Sequence, residues 1–233
     1  MIISTNKMKS KNSKLLFTLA VFLIFLAYCK KTEKPIVPLA DVEGNTYKTV
    51  KIGTQEWMAE NLKTTRFADG TDIPLVKDAG AWSNLTASGY CWYNNDETTY
   101  KLPYGALYNG YTIVTGQLCP SGWHVPFKEE WLQLRDFLSD SLKAGGKLKE
   151  AGLTHWLSPN KGADNSTGFT ALPAGLRYFE GTFSSILAYT AFWAAADSTG
   201  NDAWFAGLYY ADAGFVIEQR IKNHAFSVRC IKN

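Results

Sequence analysis

The chain has 233 residues, 46% apolar and 19% charged, which suits one substantial domain with a buried core and excludes a disordered chain. Its formal charge of +3 rests on the first segment, where Lys7, Lys9, Lys11 and Lys14 stand without an acidic residue; taking those four from the 24 basic residues leaves 20 against 21 acidic. A near-neutral remainder with no local Lys/Arg cluster sets nucleic acid aside as a partner.

The basic segment leads into an apolar run from Leu15 to Tyr28, free of charges and broken only by Thr18, ending at Cys29. Fourteen residues at ~1.5 Å each reach about 21 Å, short of the ~30 Å hydrocarbon core, which predicts an export signal rather than a spanning helix. Translation starts at Met1 or at Met8, since M-K-S-K makes a compact basic start of its own. Leu26-Ala27-Tyr28-Cys29 resembles the lipobox of bacterial lipoproteins, whose cysteine is acylated and becomes the mature N-terminus; Tyr28 departs from the small residue usual before it. The expectation is a signal peptide over 1–28, lipid attachment at Cys29, and anchorage to the outer membrane in its periplasmic or surface leaflet, held by more than one acyl chain. An ordinary secretory signal cut near Ala27 is the other reading. Residues 29–40, with Lys, Glu and two prolines, predict an extended tether, so the folded domain begins near Asp41.

From Asp41 the signals are mainly β. Tyr47 to Ile52 and Gln55 to Leu62, separated by Gly53-Thr54, predict an opening hairpin. Residues 66–88 carry Gly70, Pro74, Gly80 and many Asp, Asn and Ser residues, and predict a long surface loop. Gly89 to Tyr93 is a short aromatic strand ended by Asn94-Asn95-Asp96, and Tyr104 to Tyr111 reads equally as strand or helical turn. C-P-S-G-W-H-V-P (119–126) predicts a rigid corner opening the main helix, about 126–142. Phe127, Trp131, Leu134, Leu138 and Leu142 form its buried stripe, and Glu129 and Glu130 favour its first turn. Gly145-Gly146 should interrupt that helix, with a short second one over Lys147 to Ala151. The last third predicts antiparallel sheet with loops: Gly168 to Phe179, a turn at Glu180-Gly181, a core strand at Phe192 to Ala196, a hairpin from Trp204 to Gln219, and a closing strand from Ala225 to Ile231.

Seven stretches together resemble the Fibrobacter succinogenes major paralogous domain family. They are V-K-I-G-T-Q-E-W-M-A-E-N-L (50–62), G-Y-C-W-Y-N-N-D (89–96), Y-G-A-L-Y-N (104–109), L-C-P-S-G-W-H-V-P (118–126), A-G-G-K-L-K-E-A-G-L-T-H-W (144–156), G-F-T-A-L-P-A-G-L-R-Y (168–178) and F-S-V-R-C-I (226–231). The resemblance covers 41–233 as a single domain, with two departures: Gly110 stands in place of an aromatic, and Phe127 in place of a Ser or Thr N-cap. It implies a secreted or lipid-anchored surface protein of α+β class. Its fold would be distantly C-type-lectin-like, with twisted antiparallel sheets, one main helix and long loops, and also similar to formylglycine-generating enzymes. Fold likeness of that kind is a weak guide to function.

Apart from Cys29 the cysteines are Cys91, Cys119 and Cys230, and an oxidising compartment predicts one pair. Following the long-range bridge of lectin-like folds, that pair is Cys119 with Cys230, worth roughly 4–5 kcal/mol in the chain-entropy model. Cys91 is then read as a buried small apolar residue, with a reactive thiol as the other reading. His124, His155 and His224 lack paired zinc spacing, and no EF-hand loop or sugar-binding calcium triplet occurs, so no metal or cofactor is expected. Nucleophile elbow, Walker loop, dinucleotide fingerprint and the cysteine pair of a formylglycine-generating catalyst are all missing from the sequence, which predicts a non-catalytic protein.

A binding module for glycan or protein ligands is the leading expectation, with a fibre or scaffold component as the alternative and an enzyme resembling the formylglycine-generating fold behind both. Aromatics make up 14% of the chain, and Trp92, Tyr93, Tyr178, Trp193 and Trp204, with Asp197, are the candidate ligand contacts. Rings of this kind beside Asn and Asp stack on sugars, although strands bury about half their aromatics to build a core. Loops 94–103, 158–167 and 197–203 are the expected binding surface.

Overall fold

The computed structural model describes residues 1, 38–138, 140–195 and 199–233. The leader, Cys29, most of the tether and Asp197 therefore lie outside the described residues.

Pro38–Asn233 is one compact unit. It opens with the two-residue pair β1 (Leu39–Ala40) and β2 (Thr46–Tyr47), whose turn is held by Asp41 accepting from the Asn45 backbone and the Tyr47 hydroxyl at 3.0 and 2.6 Å. The expected hairpin follows as β3 (Thr49–Ile52) and β4 (Gln55–Met58), turning at Gly53. Its alternation is visible in burial, since Ile52 and Trp57 are covered while Thr49 and Lys51 face water.

The stretch 66–88 is more structured than its composition predicts. Asp78 caps a short helix, α1 (Ala79–Ser83), by accepting from the Ala81 N–H at 2.7 Å, and Trp82 is wholly buried with its indole N–H on the Asn223 carbonyl at 2.7 Å. After β5 (Tyr90–Cys91), Asp96 caps a second unforeseen helix, α2 (Glu97–Tyr104), by accepting from the Thr99 N–H at 3.1 Å. The ambiguous segment then divides into strand β6 (Leu107–Asn109) and one helical turn, α3 (Gly110–Ile113). Gly110 is required there, because a Cβ would stand 2.8 Å from the Lys222 backbone.

The corner supplies β7 (Trp123–His124) and delivers the chain into α4 (Lys128–Phe137), shorter than expected. Phe127 keeps extended backbone as the N-cap and has no side-chain acceptor; instead the Glu130 carboxylate accepts from its N–H at 2.8 Å. Trp131, Leu134 and Leu138 are buried, but Phe127 and Leu142 are 54% and 76% exposed, so the apolar stripe stops one turn short at both ends. Lys147 donates to the Leu138 carbonyl at 3.0 Å and closes the C-terminal end. The double glycine does not break a helix. It lies inside α5 (Ala144–Leu148), where a Cβ on Gly145 or Gly146 would fall 1.9 Å from the Gly214 oxygen or 2.2 Å from the Gly162 oxygen.

The last third forms β8 (Ala174–Arg177), β9 (Phe183–Ile186), β10 (Tyr189–Trp193), β11 (Asp202–Tyr209), β12 (Val216–Ile221), β13 (Ala225–Phe226) and β14 (Ile231–Lys232). The larger sheet runs β12-β11-β10-β8-β13-β6-β5, with β9 added on β8; the smaller runs β3-β4-β14-β7. All of these ladders are antiparallel except β8 with β10, which meet in parallel at Thr190 and Gly175, a departure from the all-antiparallel expectation. The closing segment is split between the sheets: Phe226, Val228 and Cys230 enter one core cluster, and Ile231 enters the other. In that second cluster Trp57 and Trp131 pack at 4.6 Å and Trp131 stacks on Phe192 at 5.8 Å. Each such indole withdraws roughly 200 Å² from water, a gross gain of about 5 kcal/mol. The architecture is α+β, dominated by sheet and long connections, with α4 its longest described helix.

Candidate functional site

The aromatic candidates are not gathered at a surface. Trp92 and Trp193 are 1% and 0% exposed, and the Trp193 indole donates to the Tyr108 carbonyl at 2.7 Å. Tyr93 is buried against Tyr100 and Phe183. These three rings belong to the core because both faces of their segments are covered, which leaves no face for a sugar. Tyr178 is half-buried beside His224, and the half-buried ring of Trp204 is covered by the Lys128 ammonium at 3.7 Å. Of the expected loops, 94–103 is largely α2, 158–167 is tied down by carbonyl contacts, and 197–203 lies partly outside the described residues.

The corner at 119–126 is structural. Cys119 and Cys230 form the expected disulfide, with Cα atoms 6.0 Å apart. His124 is held from both sides, by the Asn233 side chain at 2.7 Å and the Glu130 carboxylate at 2.9 Å. Cys91 is free and wholly buried beside Trp82, Tyr93 and Leu107, and burial pushes its thiol up to about 12, which makes it inert at neutral pH.

Two hollows among the described residues bear on function. One, of about 660 Å³, lies between the β3–β4 turn and α4, where the 60%-exposed Phe137 ring covers Gly53. The other, of about 400 Å³, is a more enclosed cleft with a more polar lining than the first. Its floor is Arg229, from the segment joining β13 to β14 and only 1% exposed. The guanidinium donates to the Asn61 side-chain oxygen at 2.8 Å, to the Thr170 carbonyl at 2.9 Å and to the Phe169 carbonyl, and lies 4.3 Å over the Phe169 ring. Every one of these partners is neutral. Burial pulls its pKa down to about 9, with Glu60 opposing, so the group remains a cation at neutral pH.

Around this floor, Lys48, Glu60 and Lys63 come from the stretches flanking β3 and β4, and Leu102 and Pro103 from α2. His155 is oriented by the Glu150 carboxylate at 2.9 Å and by the Tyr104 ring at 5.9 Å. Gly105 must be glycine, since its φ is +73° and a Cβ would stand 2.7 Å from the Leu62 oxygen. The Lys63 ammonium reaches the Thr46 carbonyl at 3.4 Å and the Tyr47 ring at 4.9 Å, and among the described residues neither rim lysine has a carboxylate partner. The cleft thus sets three cations against one carboxylate.

The cleft gathers residues from segments remote in sequence: Glu60 and Asn61, Gly105, His155, Gly168 and Thr170, and Arg229. The family model described as the Fibrobacter succinogenes major domain matches residues 50–232, which spans every residue lining the cleft except Lys48 and Thr49. The chain belongs to this family. No curated protein and no solved structure matches it. The cleft residues are single positions without a motif; Glu60, Asn61, Gly105, His155, Gly168, Thr170 and Arg229 fall in the seven family stretches, whereas the rim lysines Lys48 and Lys63 do not.

Proposed function

We propose that this member of the family is an exported, lipid-anchored envelope protein whose domain is a non-catalytic binding module, and that the cleft over Arg229 is its ligand site. The observation that carries the reading is the floor of that cleft, a fully buried cation whose hydrogen-bond partners are all neutral, under a rim of two lysines. Burying a charge without a charged partner is costly, and here it leaves a positive field in a hollow of ligand size. The long-range disulfide, which ties the start of the main helix to the last strands, supports a C-type-lectin-like plan. Screening the detergent-solubilised chain against arrayed glycans and envelope proteins tests this reading. Any ligand found should be lost on Lys48→Glu/Lys63→Glu, and a ligand indifferent to that change would remove the cleft from consideration.

The second reading, a fibre or scaffold component, draws on β12, which among the described residues pairs with β11 alone and has its other edge unpaired. Concentration-dependent assembly lost on Gln219→Pro would favour it.

A further inference from the structure

We infer that the cleft over Arg229 takes an acidic saccharide, a single sugar ring bearing a carboxylate. The inference rests on the cleft being the ligand site and names the chemistry of its occupant. Arg229 uses three N–H groups on Asn61, Phe169 and Thr170, whereas a guanidinium has five. The remaining N–H dipoles and the charge itself act across a low-dielectric wall, where a field is screened least. Lys48 and Lys63 extend the same sign to the rim. A neutral sugar gains only hydrogen bonds from these cations, while a carboxylate entering the cleft also gains the attraction of a charge the fold already holds out of water. The cavity of about 400 Å³ has the scale of one ring with its substituents.

The groups beside the cations favour a saccharide over an acidic peptide. Glu60 accepts from the Lys48 backbone N–H through one carboxylate oxygen at 3.1 Å and has the other for a ring hydroxyl. The Nε2 edge of His155, whose Nδ1 is taken by Glu150, adds a further polar partner, and the Thr49 hydroxyl, which donates to Glu56 at 3.3 Å, can still accept. Leu102 and Pro103 give the hollow an apolar side against which the C–H face of a ring packs. An acidic peptide would use the cations equally well but brings no ring hydroxyls for Glu60 and no rigid C–H face for Leu102 and Pro103.

The test is calorimetric titration of the full detergent-solubilised chain at low salt with glucuronate, glucose, an aspartyl dipeptide and sulfate. Glucuronate should bind at least tenfold more tightly than each of the other three, weaken as salt rises, and lose at least tenfold in affinity on Lys48→Glu/Lys63→Glu. Both lysines are at the rim, so this variant should keep the thermal transition of the parent. Glucose binding as well as glucuronate would overturn the acidic requirement and leave the cleft as a ligand site. Equal binding of the dipeptide or of sulfate would overturn the saccharide. No binding of glucuronate at millimolar concentration would overturn the inference outright, and an array ligand unaffected by the double variant would overturn the site itself.

Discussion

Removing the Cys119–Cys230 bridge should cost this domain more than any single core contact. The cysteines are 111 positions apart, and the chain-entropy relation for a closed loop of that length gives about 16 cal/mol/K, or about 5 kcal/mol at room temperature. The native structure has little to offset the loss, because β7 and β14, the strands beside the bridge, share only the pairs His124 with Ile231 and Trp123 with Lys232. Cys119→Ala/Cys230→Ala should therefore lower stability by about 5 kcal/mol, or the midpoint of thermal unfolding by about 10–20 °C for a domain of this size. In urea the slope should also rise, since an uncrosslinked denatured chain exposes more surface. The assay is paired urea titration of the parent and the double variant, with peptide mass mapping of the oxidised parent. A loss under ~1.5 kcal/mol with unchanged slope would refute the argument, as would a bridge containing Cys91.

Gly145→Ala sets helix propensity against space. Propensity alone predicts a gain of about 1 kcal/mol, whereas a Cβ 1.9 Å from the Gly214 oxygen forces backbone apart and predicts a loss of about 1–3 kcal/mol by urea unfolding; a stabilised variant would show that the contact is soft. Burial holds His224 below its ordinary pKa of 6.5, so its contribution is fully present above pH 6.5 and is lost as pH falls through the lowered folded value. Urea midpoints from pH 7.5 to 5 should therefore fall more steeply for the parent than for His224→Gln, and parallel curves would contradict this. Lys149 is pulled from 10.5 to about 8, so its folded state holds fewer protons and stability should climb from pH 8 toward 10.5, a rise that Lys149→Met should lack. Cys29→Ala should move the protein from the membrane to the soluble fraction, and an unchanged membrane fraction would remove lipid attachment at that residue.

What the sequence disclosed followed from local rules. The β3–β4 and β11–β12 hairpins were legible because two periodic runs flank a turn, and the α4 stripe because its spacing is helical from Trp131 to Leu138. Helix α2 was not, since E-T-T-Y-K-L-P-Y has weak formers and a proline, and its one signal is the capping Asp96. The aromatic positions misled for a physical reason. β8 is buried at every residue and β10 nearly so, and a strand covered on both faces loses the alternation that distinguishes inward from outward rings. The glycine pair was read as a break because sequence reports backbone freedom, not the carbonyl oxygens waiting opposite.

Three of the buried cations, Lys149, Arg177 and Arg229, explain why so irregular a fold holds together, and they separate structure from ligand among the family residues. Lys149 donates to the carbonyls of Lys161, Tyr209 and Asp212 at 2.8–3.0 Å, joining two loops. Arg177 donates to those of Val76, Lys77 and Gly181 at 2.6–2.9 Å while packed 4.4 Å from the Trp82 ring, and fixes the stretch whose composition reads as a loose loop. Arg229 does the same for 169–170. Long connections must satisfy their carbonyls somewhere, and a charged donor makes the stronger bond, so a cation on a fixed element replaces the ladder that a strand would have supplied. All three fall in the stretches that carry the family resemblance. For Lys149 and Arg177 architecture is explanation enough, because each lies away from either hollow. Only Arg229 forms the floor of an open cleft, and so only there does a structural cation also have something to offer a ligand.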